Sequence, residues 1–172
     1  MKIVLATRNQ GKAKELVLIL EPLGFDLITQ DEFDIASPEE TGKTFIENAL
    51  IKAREVSRLT GLPSIADDSG ICVAALKGQP GIYSARYAGL TATDQENNEK
   101  LAKALQTKSE NHAFYYCVLV FIRHEEDPTP IIGIGEWHGA IIQSPKGQNG
   151  FGYDPYFWLD EYNCTAAELL PE

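Results

Sequence analysis

Apolar positions along the chain switch between two periods, and the switches outline an α/β protein. Lys2 to Thr7 is a short apolar run of the kind a buried strand carries. A polar loop follows, Arg8 to Gly11. The period then lengthens. Ala13, Leu16, Val17, Leu20 and Leu23 fall on one face of a helix expected from Lys12 to about Leu23, closed by Pro22 and Gly24. Asp26 to Thr29 reads as a second strand and Asp31 to Gly42 as an acidic loop. Thr44 and Glu47 have the spacing of a capping box. The helix they open has Ile46, Ala49, Leu50, Ala53 and Val56 as its core stripe, and Gly61 and Pro63 end it. Asn48 and Lys52 lie four residues apart on an adjoining face. Ser64 to Ala66 reads as a strand that delivers Asp67 and Asp68 at its end, and Ile71 to Leu76 as the strand returning.

Gly78-Gln79-Pro80-Gly81 is a turn pattern. Thr93 and Glu96 make a second capping box, opening a helix to about Gln106. Phe114 to Arg123 is apolar on both faces. Phe114, Tyr116, Val118, Val120 and Ile122 lie on one, and Tyr115, Cys117, Leu119 and Phe121 on the other. A strand covered on both sides belongs in the middle of a sheet flanked by helices. Glu125 to Pro130 reads as a turn, and Ile131 to Ile142 as a long strand pairing back. Ser144 to Asp154 is a glycine-rich loop, Phe157 to Leu159 a last strand, and Thr165 with Glu168 a third capping box. The sum is an α/β domain with a mixed sheet.

Bulk properties narrow the function classes. At 172 residues the chain suits one domain, with room for two lobes. No apolar run approaches the ~20 residues of a membrane span. A net charge of −10 argues against a basic face for nucleic acid. Cys72, Cys117 and Cys164 are scattered and odd in number, the usage of a reducing cytoplasm rather than a disulfide frame or a zinc site. His112, His124 and His138 show no ligand spacing. An acidic protein binds a polyphosphate only through local positive charge, with Mg²⁺ between the two sets of anions.

Candidate chemistry gathers at the junctions. Asp67-Asp68-Ser69-Gly70 suits a turn, and equally suits holding a hard cation and activating a water. Thr7-Arg8-Asn9-Gln10-Gly11-Lys12 leads into a helix N-terminus, whose free amides and partial positive charge favour a phosphate, although a lysine in a first turn is common. It is not a P-loop, lacking the first glycine and the Ser or Thr after the lysine. Glu39-Glu40 and Phe151-Gly152-Tyr153-Asp154 place polar groups at two further junctions, the first also readable as loop acids near a helix N-terminus and the second as a plain turn with a packed aromatic. Lys52 and Arg86 supply extra positive charge, although Lys52 also reads as part of a solvated helix face.

Read together, five segments resemble the inosine/xanthosine triphosphate pyrophosphatase family. They are Ala6 to Lys12, Glu39 to Gly42 with Phe45 to Ala49, Ile65 to Gly70, Pro80 to Tyr87, and Gly150 to Pro155, all in the family's order. The resemblance implies an α/β fold: an elongated mixed β-sheet flanked by helices, in two lobes with a central cleft. It implies hydrolysis of ITP, dITP and XTP to the monophosphate and pyrophosphate, a homodimer, and Mg²⁺ as cofactor. It also implies roles. Thr7, Arg8, Asn9, Gln10, Gly11 and Lys12 match the triphosphate loop, and Lys52 and Arg86 further phosphate contacts. Glu40 and Asp68 match the metal carboxylates. Asp68 matches the general base and Ser69 its substrate-contacting neighbour. Phe151, Gly152, Tyr153 and Asp154 match the loop that holds the purine. In the family a lysine and a Ser-His-Arg segment follow the stretch matched by Thr165 to Leu169, and they read the 6-keto edge of the base. This sequence stops at Glu172 before either, so the domain is expected to be incomplete at its C-terminal end. The alternative reading is a nucleotide-binding pseudoenzyme with impaired turnover. A phosphatase for modified pyrimidine nucleotides is a third.

Overall fold

The chain is described by a computed structural model covering residues 1–170. Among the described residues seven strands form one mixed sheet in the order β2-β1-β3-β4-β5-β6-β7. They are β1 Lys2–Leu5, β2 Asp26–Thr29, β3 Ser64–Val73, β4 His112–Ile122, β5 Ile131–Ile141, β6 Phe157–Leu159 and β7 Cys164–Thr165. Three α-helices flank it: α1 Gln10–Leu20, α2 Phe45–Thr60 and α3 Asp94–Leu105. β1 runs parallel to both β2 and β3, whereas β6 is antiparallel to β5 and β7. β4 lies at the centre of the order, as its two apolar faces require. No helix among the described residues is long and apolar enough to cross a membrane.

The chain forms two compact units, each assembled from two segments. The first comprises Met1–Asp68 and Cys117–Ile134, the second Ser69–Tyr116 and Gly135 onward. In the first, Ile3, Leu5, Leu16 and Ile65 make a buried cluster, with Leu119 and Phe121 of β4 against it. In the second, Ile71, Val73, Leu101, Leu105, Ile141 and Phe157 form the core.

The structure departs from the sequence expectations at four places. The first helix begins at Gln10 rather than Lys12, because the Asn9 carboxamide accepts from the amides of Gly11 and Lys12 and caps it. It ends at Leu20. Glu21–Leu23 is a 3₁₀ turn around Pro22, which has no amide to continue the α-helical ladder. Second, Ser64 to Val73 is one continuous strand, so Asp67 and Asp68 lie inside β3 rather than at a strand end. No separate strand runs from Ile71 to Leu76, and Ala74–Leu76 is a 3₁₀ turn. Gly70 is there for close approach, not for a turn. A Cβ on it would stand 2.5 Å from Gly81 O and 2.5 Å from Ser84 Oγ. Third, the acidic loop opens with a 3₁₀ turn, Gln30–Phe33, capped by Thr29 and Glu32. Fourth, the Thr165/Glu168 box caps only the 3₁₀ turn Ala166–Glu168, after the short β7. At α2 the Thr44 hydroxyl accepts from the Glu47 amide, and the Glu47 carboxylate accepts from Lys43 N and the Thr44 hydroxyl.

The turn between β4 and β5 is held by one buried carboxylate. Asp127 accepts from Arg123 N at 3.0 Å, Arg123 Nε at 2.8 Å, Arg123 Nη2 at 2.9 Å and Thr129 N at 2.9 Å. The guanidinium bond, then the amide bonds, hold the Asp127 carboxyl well below the usual carboxylate range against the cost of burial. A depressed folded-state value stabilises the fold above the ordinary aspartate range, and the contribution is lost as pH falls through the depressed value. Asp127→Asn is therefore expected to lower the urea midpoint at neutral pH. Its gap to the parent should close as the pH is taken below the ordinary aspartate value, and a gap constant with pH would contradict this origin.

Candidate active site

The site begins where β1 stops and β3 continues. Val4 N donates to Pro63 O and Ala6 N to Ile65 O, and beyond these bonds β3 continues past the end of β1. The chain leaves β1 through α1 toward β2 on one side, and returns through α2 to β3 on the other. A reversal of strand order of this kind opens a crevice at the carboxyl ends of the parallel strands. Asp67 and Asp68 are the residues β3 presents there.

Strand alternation sends the two carboxylates to opposite faces. Ile65 packs with Leu16, so the odd positions of β3 face α1. Ser64 Oγ donates to Ala53 O at 2.7 Å, so the even positions face α2. Asp67 accordingly meets Lys12 of α1, with Oδ2 2.6 Å from Nζ. Asp68 meets Lys52 of α2, with Oδ1 2.9 Å from Nζ. The Lys52 ammonium also lies 3.1 Å from Glu40 Oε1. Two ammonium groups thus face three carboxylates.

Burial sets the electrostatics of these groups. It pushes the Asp68 carboxyl up, against the pull of Lys52. Burial alone would push Lys52 down, but attraction from Asp68, Asp67 and Glu40 outweighs it and holds the ammonium above its ordinary value. Asp68 Oδ2 is buried and has no hydrogen-bond partner. An unsatisfied carboxylate oxygen beside a second carboxylate is the donor set for a hard divalent cation held by one or two protein carboxylates plus substrate phosphates. Among the described residues no three His, Cys, Asp or Glu side chains converge into a cage made of protein alone.

The rest of the first loop is otherwise engaged. Thr7 Oγ1 accepts from Asn9 N at 3.2 Å, and Asn9 caps α1. Gln10 Nε2 donates to Asp31 Oδ2 at 3.0 Å, and Arg8 Nε lies 3.5 Å from Asp31 Oδ1. Of this loop's side chains, Lys12 is the one drawn to the β3 carboxylates.

The second unit contributes a separate set. Ser69 follows Asp68 in β3 and is half-buried. Arg86 ends the 3₁₀ turn Gly81–Arg86 with its guanidinium 5.3 Å from the Tyr83 ring centre. The 151–154 loop is held from several directions. Asp94 Oδ2 accepts from Gly152 N at 2.9 Å, and Asn98 Nδ2 donates to Gly152 O at 2.7 Å. Tyr153 is buried and its hydroxyl donates to Ser84 O at 2.8 Å. Asp154 accepts from Phe151 N and from Tyr115 OH. The Phe151 ring is 40% exposed, so it is the side chain this loop offers outward. Asp94, Asn98, Ser84 and Tyr115 escaped sequence reasoning. The one available signal was that Asp94 and Asn98 sit four apart, on one face of α3.

The pattern that defines the Ham1 family matches residues 3–172. This chain belongs to the Ham1 family. It is 56% identical over 172 residues to the dITP/XTP pyrophosphatase of Vibrio parahaemolyticus, an alignment covering 99% of this chain and 86% of that protein. With the dITP/XTP pyrophosphatase of Nitrosomonas europaea it shares 53% over 171 residues, 99% of this chain and 84% of the other. The solved structure of a HAM1 protein from Coxiella burnetii superposes with a TM-score of 0.94 at 47% identity, covering 99% of this chain and 88% of that one. The mixed sheet flanked by helices is therefore the family's fold as well as this chain's.

Burial pushes the Tyr115 hydroxyl well above the usual tyrosine value, so it stays a donor to Asp154 across the working pH range. Tyr115→Phe removes that donor while Phe151 N remains. The change should cost about 1–3 kcal/mol of stability in denaturant unfolding. It should also loosen the 151–154 loop, read as faster amide exchange at Gly152 than in the parent.

Proposed function

We propose that this Ham1 family chain hydrolyses dITP, ITP and XTP at the bond between the α- and β-phosphates, giving the monophosphate and pyrophosphate. The observation that carries the reading is the pairing of Lys12 and Lys52 with Asp67, Asp68 and Glu40 on the two faces of one strand. Relatives that bear the name dITP/XTP pyrophosphatase support the substrate class.

In this reading Lys12, Lys52 and Arg86 take phosphate oxygens, aided by the amides of the Thr7 to Lys12 loop. Lys12 exchanges Asp67 for a phosphate oxygen. Asp68 accepts the proton of a water that attacks the α-phosphorus. The bridging bond breaks and its electron pair leaves with pyrophosphate. A positioned base of this kind typically contributes ~10²–10⁴-fold. Burial holds Asp68 above the ordinary aspartate value, which makes it a stronger base. Mg²⁺, held by Glu40 and Asp68 together with the phosphates, would supply neutralisation of the leaving pyrophosphate. The Phe151 ring stacks on the purine, Ser69 contacts the substrate beside Asp68, and the Phe151–Asp154 backbone frames the base.

We extend the reading to a cytoplasmic homodimer. Ile132 and Ile134 are exposed apolar side chains two apart on one face of β5, a surface that suits a second copy.

Asp68→Asn should abolish pyrophosphate release from ITP with Mg²⁺ while leaving the thermal midpoint of a folded protein. Near-normal turnover by that variant, or orthophosphate as the direct product, contradicts the assignment. Because the base must be ionised and its value is raised, kcat/KM should fall on the acid side through a pH above the ordinary aspartate range.

A further inference from the structure

The Lys52 ammonium stands at the point where the two metal-assigned carboxylates converge. It lies 3.1 Å from Glu40 Oε1 and 2.9 Å from Asp68 Oδ1, and its side chain is 12% exposed. These are ammonium distances. Mg²⁺ binds oxygen at about 2.0–2.1 Å and tolerates little departure from that geometry. The same pair of carboxylates therefore has two rival cations, one of them covalently part of the chain.

We propose that Lys52 guards the metal carboxylates of the substrate-free protein, so that divalent metal binds poorly by itself and enters with the triphosphate, onto which the Lys52 ammonium transfers. This rests on the assignment of Glu40 and Asp68 made above. The ammonium carries three donors, and two are spent on Glu40 and Asp68. Withdrawing a part-buried ammonium from two carboxylate oxygens is costly, so Lys52 needs replacement acceptors before it moves. Triphosphate oxygens are such acceptors. Their arrival releases Glu40 and Asp68 for the metal, and the metal restores the charge that Lys52 withdraws. Nucleotide and metal then bind with positive coupling, and the coupling runs equally in both directions.

Charge gives the expected effect of removing the guard. Removing Lys52 takes one positive charge away from the two carboxylates it bridges. Lys52→Met and Lys52→Gln should both raise affinity for Mn²⁺ alone by about tenfold or more, within the usual range of coupling between two ligands. Free Mn²⁺ counted by electron paramagnetic resonance in the absence of nucleotide reads this directly. Adding Glu40→Gln to either variant should cancel the gain. Lys52→Gln keeps an N–H donor toward both carboxylates, so it serves where Lys52→Met fails to fold, with thermal melting as the check.

The parent protein supplies a second measurement that needs no variant. Saturating Mn²⁺ without nucleotide should speed acetylation of Lys52, followed by peptide mass spectrometry, because the metal displaces the ammonium from its carboxylates. Unchanged Mn²⁺ affinity in a folded variant, or an unchanged acetylation rate in the parent, overturns the proposal. Pyrophosphate release from ITP keeps the two readings apart. Hydrolysis by the parent with no Mn²⁺ effect overturns the guard role alone. Absence of hydrolysis overturns the reaction assignment, whatever the Mn²⁺ result.

Discussion

Burying two consecutive aspartates in a strand is costly unless each has its own partner, and alternation along β3 supplies the means. Neighbouring side chains of a strand face opposite ways, so each carboxylate meets a different helix. Asp67 is matched by Lys12 of α1, and Asp68 by Lys52 of α2. Moving β3 by one residue would exchange every inward and outward position, setting Ser64 and Ile65 against the wrong helices and both carboxylates against the wrong lysines. The packing of Ile65 on Leu16 and the bond from Ser64 to Ala53 O are thus part of the site. They fix the register on which the charge pairing depends.

The two units solve different physical problems. The first gathers full charges and cancels most of them, leaving a cluster that can exchange partners with an anionic substrate. The second positions a loop mainly with hydrogen bonds. Gly152 is held at both its amide and its carbonyl by α3, Tyr153 is sunk in the core, and Asp154 ties back to Phe151 N. Under the proposed function, exchangeable ion pairs suit phosphates, which arrive and leave with counter-ions, and fixed hydrogen bonds suit a ring proposed to stack on the base.

Sequence periodicity made β1, β2, α2, α3, β4, β5 and β6 legible because each carries its own apolar stripe or run. It misread Ser64 to Val73, since Asp-Asp-Ser-Gly has the local chemistry of a turn. What overrides that chemistry is non-local: lysines from two helices, and the approach of Gly81 and Ser84 to Gly70. Lys52 could be suspected from its place on α2, and Asp68 from its neighbours. The clamp on Gly152 could not, because Asp94 and Asn98 lie 58 and 54 residues away along the chain. The start of α1 lies two residues before its expected place because the Asn9 side chain caps the helix.

The loop from Thr7 to Lys12 carries two ion pairs of very different exposure. Arg8 and Asp31 are 62% and 40% open at their side chains, whereas Lys12 and Asp67 are 21% and 5% open. Dissolved salt screens charges that water can reach, over about 8 Å at physiological ionic strength, and reaches enclosed ones far less. One loop therefore has a rim that rising ionic strength loosens and a floor that it leaves in place. The rim can fluctuate with its ionic surroundings while the ammonium facing β3 stays where a phosphate would meet it.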